Sequence, residues 1–95
     1  MAVVTVLLPR MLAPLAGEQS RVMVSVDDPA SLRDVVASLA VMHPTVARRI
    51  VDETGELRRH VNVYVDGEEC RQLAGLATPV HEGTQVQVIG SIAGG

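Results

Sequence analysis

Hydrophobic and polar positions change period several times along this chain, and each change marks an element. Ala2-Val-Val-Thr-Val-Leu-Leu8 is a nearly continuous apolar run closed by Pro9. That pattern predicts a strand buried on both faces and therefore central in its sheet. Pro9, Pro14 and Gly17 make residues 9–20 a connecting loop. Arg21 to Val26 then alternates, with Val22, Val24 and Val26 on one side and Arg21, Met23 and Ser25 on the other. This is a half-buried strand that pairs with the first as a hairpin.

The period next lengthens to that of a helix. Leu32, Val35, Val36 and Leu39 fall at i, i+3, i+4 and i+7, a single apolar stripe of about three turns. Two starts are open: Asp28 as the cap with Pro29 in the first turn, or Ser31 with Asp34 as a capping box. The helix ends near His43, because Pro44 disfavours helical geometry in the residue before it. Thr45 to Val51 forms a further short helical piece with Val46 and Ile50 inward, and Asp52 to Glu56 is a polar turn.

Strand periodicity returns with Val61-Asn-Val-Tyr-Val65, which alternates strictly and runs into Asp66-Gly67, a tight-turn signal. Glu68 to Leu73 returns as a short edge strand. Gly75-Leu-Ala-Thr-Pro79 is a turn-rich crossing segment, Glu82-Gly83 a second tight turn, and Thr84 to Ile89 the last strand, with Val86 and Val88 inward. One helix stripe needs one sheet face to cover it, which gives a two-layer α+β domain. Closing the last strand parallel to the first makes a mixed five-stranded sheet with one main helix on one face, the β-grasp or ubiquitin-like fold. Residues 1–89 form that domain and residues 90–95 a flexible tail.

Composition narrows the function. The chain has 95 residues, 47% apolar, with a net charge of -3, and Tyr64 is its only Phe, Trp or Tyr. Nucleic-acid surfaces need basic charge and stacking rings, so nucleic acid is not an expected partner. The N-terminal apolar run is too short for a signal core or a membrane span, so no membrane role and a cytoplasmic location are expected. Cys70 is the only cysteine and excludes an internal disulfide. His43, His60 and His81 match no compact zinc spacing, and neither a nucleophile elbow nor a phosphate loop is present. No cofactor is expected.

What remains is the ending, Ile92-Ala-Gly-Gly95. Two terminal glycines arise by chance in about 0.5% of chains at average usage, so the rest of the pattern must decide their meaning. Residues without Cβ can pass a narrow active site where a side chain would clash. A tail over residues 90–95 extends to roughly 20 Å. All eight basic side chains are arginine; with no lysine, an activated terminus finds no side-chain amine on its own chain.

Val61-Asn-Val-Tyr-Val-Asp-Gly-Glu-Glu69, Arg71, Gly75-Leu-Ala-Thr-Pro79, Glu82-Gly83 and the diglycine end together resemble the sulfur-carrier proteins of the ThiS/MoaD superfamily, nearest the CysO type. The resemblance is densest over residues 57–95 and collinear elsewhere. It implies that the chain is not an enzyme but a protein co-substrate. An E1-like, MoeB-type adenylyltransferase joins the Gly95 carboxylate to AMP, sulfur replaces AMP by sulfurtransferase action, and the thiocarboxylate passes its sulfur to an accepting synthase. Cysteine synthase and thiazole synthase-like enzymes are the implied acceptors. One departure stands out: Gly90-Ser91 occupies the place where the family usually has Pro-Ala.

In that reading Gly95 carries the reacting group, Ile92, Ala93 and Gly94 contact the partner, and Tyr64 either anchors a partner on the open sheet face or packs under the 9–20 loop. Arg58-Arg59 is either a basic spot for an acidic partner or a solvated strand end. Two other functions are compatible with the same features: a ubiquitin-like modifier conjugated through Gly95, and a small subunit of a molybdopterin-synthase-like complex.

Overall fold

Two valine-rich strands make the first hairpin: β1 (Ala2–Leu7) and β2 (Arg21–Val26) pair antiparallel, Ala2 opposite Val26 and Leu7 opposite Arg21. They belong to a computed structural model of the protein that describes residues 1–90. Next come a two-residue strand β3 (Ala30–Ser31), helices α1 (Leu32–Met42) and α2 (Pro44–Ile50), β4 (Val61–Val65), β5 (Glu68–Glu69), β6 (Pro79–Val80) and β7 (Gln85–Gly90). The main sheet has the order β2-β1-β7-β4-β5. β7 lies parallel to β1, with Val6 opposite Val86, and antiparallel to β4, with Val63 opposite Val88. This is the β-grasp arrangement.

Alternation aims Val4, Val6, Val22, Val24, Val63, Val65, Val86 and Val88 at one face, where α1 and α2 cover them with Leu32, Val35, Leu39, Val46 and Ile50. Each such side chain stabilises the fold by roughly 1.5–3 kcal/mol relative to an exposed position, before entropy is counted. Val36 from the expected stripe is only partly buried. Ser31, not Asp28, caps α1: Asp34 accepts from the Ser31 N–H at 2.8 Å and from its hydroxyl at 3.2 Å. Pro44 opens α2, so the proline that closes one helix starts the next.

Four expectations are corrected. β1 is central but buried on one face only; Val3, Thr5 and Leu7 are half-buried because no second layer covers the open side of the sheet. The strand expected over Glu68–Leu73 contracts to Glu68–Glu69, because Cys70–Gln72 winds into a 3-10 turn that drops Cys70 into the core. The 9–20 loop contains its own 3-10 turn, Ala13–Ala16. Pro79, expected as the end of a crossing segment, forms with Val80 a short strand that pairs with β3 as a second sheet, Ala30 opposite Val80.

Candidate functional site

The described residues end on the middle strand of the main sheet. β7 has β1 on one side and β4 on the other, and its last residue, Gly90, stands opposite Val61. The last strand therefore runs one residue further than the alternation predicts. Ile92, Ala93, Gly94 and Gly95 lie outside the described residues. Gly90 itself is held by pairing with β4, since the ladder with β1 ends at Leu7 opposite Gln87.

Tyr64 sits on the open face of the sheet, half-buried, with Gln87 on β7 and Glu69 on β5 as its cross-strand neighbours. Leu7 stands opposite Gln87 on the other side, so Leu7, Gln87, Tyr64 and Glu69 form one row across four strands. Ile89, beside the exit, is 43% exposed, and Met23 on β2 is 54% exposed. The 9–20 loop buries Leu12 and Ala16 in the core and packs against α2.

A groove of about 670 Å³ opens at the foot of β7, and Gly90 is part of its wall. Pro9, Leu12, Val61 and Val88 give it an apolar lining, and Arg48, Arg49 and Arg58 contribute cations. Arg58 was legible as part of a basic pair, but Arg59 does not line this groove. Arg48 and Arg49 were missed. The available signal was a second arginine pair ten residues upstream of the first, placed by α2 on the same side of the molecule.

Arg71 holds this region in shape. Its guanidinium donates to the carbonyl oxygens of Arg58 at 2.8 Å and Arg59 at 3.4 Å, and to Asn62 Oδ1 at 3.2 Å. An ion pair to Glu69 at 3.3 Å orients it from the other side. A planar five-donor group suits this, since several acceptors are met at once. The Arg58 Nε in turn donates to the carbonyl of Arg48 at 2.7 Å, and its main-chain N–H to that of Ile50 at 2.9 Å. β5, β4 and α2 are thereby tied around the groove.

The remaining chemical candidates are structural. Cys70 is fully buried, and burial, with the Glu69 carboxylate adding to it, pushes its thiol above the ordinary range against the opposing pull of Arg71. Such a thiol is a poor nucleophile. Asp52 accepts from the Thr54 hydroxyl and N–H and from the Glu56 N–H, bonds that hold its carboxyl below the usual value. Among the described residues no three His, Cys, Asp or Glu side chains gather to hold a metal. No described helix is long and apolar enough to cross a membrane.

A central last strand parallel to the first, with helices on one face and the other face uncovered, defines a small β-grasp domain of the ubiquitin-like class. The match to the ThiS family model extends over residues 6–95, and the chain belongs to that family. It is 36% identical over 94 residues to the sulfur carrier protein CysO of Mycobacterium tuberculosis, covering 97% of this chain and 98% of that one. Small archaeal modifier protein 3 of Haloferax volcanii is 40% identical over 70 residues, 74% of this chain and 75% of the other. The crystal structure of the Amycolatopsis orientalis BexX/CysO complex contains a chain that superposes with a TM-score of 0.85 at 29% identity, covering 97% of this chain and 99% of that one.

Proposed function

We propose that this chain is a sulfur carrier: a protein that bears sulfur on its terminal carboxyl group and yields it to a biosynthetic enzyme. The observation that carries the reading is the near full-length identity to a sulfur carrier protein. The architecture supports it, since the strand leading to Gly95 is anchored on both sides.

The chemistry follows from the weakness of a carboxylate as an electrophile. In this reading an activating enzyme directs the Gly95 carboxylate at the α-phosphorus of ATP; pyrophosphate leaves and an acyl-adenylate forms. A sulfur nucleophile adds to the acyl carbon, AMP departs with the electron pair, and a thiocarboxylate remains. A second enzyme consumes that sulfur. Ile92, Ala93 and Gly94 thread the partner's site, and Tyr64, with Leu7 and Ile89, offers an uncovered surface against which the partner rests. Cysteine-forming and thiazole-forming synthases are the acceptor types in view.

Intact-mass measurement on protein from its native host tests this directly. The expected result is a fraction heavier by one sulfur in place of one oxygen, localised to Gly95. Removing Gly95 is expected to abolish that fraction while thermal stability stays unchanged. Persistence of the loaded species in the shortened chain would end the proposal. A second reading, conjugation to lysines of other proteins through Gly95, is favoured by the 40% identity to an archaeal modifier. Isopeptide-linked adducts in place of the sulfur-bearing species would select it.

A further inference from the structure

The groove at the foot of β7 concentrates positive charge on a chain whose net charge is -3. Two ion pairs form among the described residues, Met1 with Asp28 and Arg71 with Glu69. Arg48, Arg49 and Arg58 therefore have no carboxylate within ion-pair distance among those residues. Arg58 is also pre-oriented: its Nε is engaged by the Arg48 carbonyl, which leaves both terminal nitrogens to meet an incoming acid. A guanidinium already held in place loses little freedom on binding.

The lining says what else the occupant must carry. Pro9, Leu12, Val61 and Val88 present apolar surface beside the cations, and Met11 at the edge is 48% exposed. An inorganic anion would satisfy the arginines and leave that surface wet. A volume of about 670 Å³ lies within the range of roughly 300–1,000 Å³ that holds a ligand of several functional groups. Position then selects the partner. Residues 91–95 span at most about 17 Å, so an enzyme reacting at Gly95 stands close to a groove walled by Gly90.

We infer that this groove docks an acidic segment, bearing at least one large apolar side chain, of the enzyme that activates the terminus. The inference rests on the sulfur-carrier reading but is separable from it. The carboxylates of the segment pair with Arg48, Arg49 and Arg58, and its apolar side chain covers Leu12, Val61 and Val88. Electrostatic attraction at such a rim raises encounter rate and selects the partner.

The test measures ATP–pyrophosphate exchange by the host's activating enzyme as a function of the concentration of this chain. The double variant Arg48→Glu/Arg49→Glu changes two exposed positions of α2, and circular dichroism verifies its fold. Its expected KM is at least about tenfold higher at low salt with kcat unchanged, and the difference narrows as salt screens the pairs. Arg33→Glu, an exposed position on α1 away from the groove, is expected to leave KM as it is. An unchanged KM in the double variant, or an equal rise in Arg33→Glu, overturns the inference and spares the carrier reading. Absence of exchange with the wild-type chain would sink both. Two results without enzyme also overturn it. Arginine resonances that shift on deletion of residues 91–95 would assign the groove to the chain's own tail. A dimer abolished by the double variant would assign it to a second copy.

Discussion

The guanidinium of Arg71 donates to the main-chain carbonyl of Arg58 at 2.8 Å, so a side chain just after the edge strand holds the entry to β4. Removing it in Arg71→Ala frees the carbonyls of Arg58 and Arg59 and the side chain of Asn62 together. Because the guanidinium is partly exposed, the expected loss is about 1–2 kcal/mol, below the full value of charged hydrogen bonds. Arg71→Lys recovers only part of it, since an ammonium cannot fork to all three acceptors. Urea unfolding with an unchanged m-value measures both.

Thr78 is a buried polar residue at 3% exposure. Its hydroxyl donates to the Gly75 carbonyl at 2.6 Å and accepts from the Ala74 N–H at 3.2 Å, while its own carbonyl accepts from the Leu32 N–H at 2.8 Å where α1 begins. Thr78→Val keeps the shape and strips both hydroxyl bonds. The expected cost is about 1–3 kcal/mol, read from the unfolding midpoint.

Asp52 ties down the turn after α2, chiefly through the Thr54 hydroxyl and then through the N–H groups of Glu56 and Thr54. Its folded-state pKa lies below the ordinary carboxyl value of 3.8. The unfolded chain therefore takes up this proton first as pH falls, so the contribution is complete above the unfolded value and is lost through the folded one. Asp52→Asn is expected to be less stable than wild type at pH 7, with the difference shrinking below about pH 4. Thermal melts across that window test it. Equal differences at both ends would contradict the assignment.

Cys70 is expected to take no part in sulfur handling. Cys70→Ala should retain thiocarboxylate loading at the wild-type level while losing some stability from the small cavity it leaves. In the native chain a thiol reagent should modify Cys70 only at the rate of opening. Because folding raises its pKa, stability should decline as pH rises past the unfolded thiol value of about 8.5. Rapid native-state alkylation at pH 7 would refute this.

Elements with their own period were legible in the sequence. The Val61–Val65 alternation, the Leu32–Leu39 stripe and the reciprocal reach of Asp34 to Ser31 are local patterns, and local patterns survive tertiary folding. The Asp66-Gly67 turn was equally plain: both residues hold positive φ, +48° and +89°, as a two-residue hairpin loop between Val65 and Glu68 demands. β3 and β6 were not visible. Each has two residues, too few to show a period, and their pairing joins positions fifty residues apart. The groove was hidden for the same reason, since the 9–20 loop, α2, β4 and β7 each supply part of it. Arg48 and Arg49 read singly as the solvated side of a helix.

The placement of β7 bears on how much tension the terminus can withstand. Traction on residues 91–95 would be applied along the axis of a strand bonded to β1 on one flank and to β4 on the other. Its hydrogen bonds lie across that direction, so they share the load instead of opening one after another as at a peeling edge. In the proposed carrier role, an enzyme that draws the terminal glycines into a narrow channel would leave the domain behind them in shape.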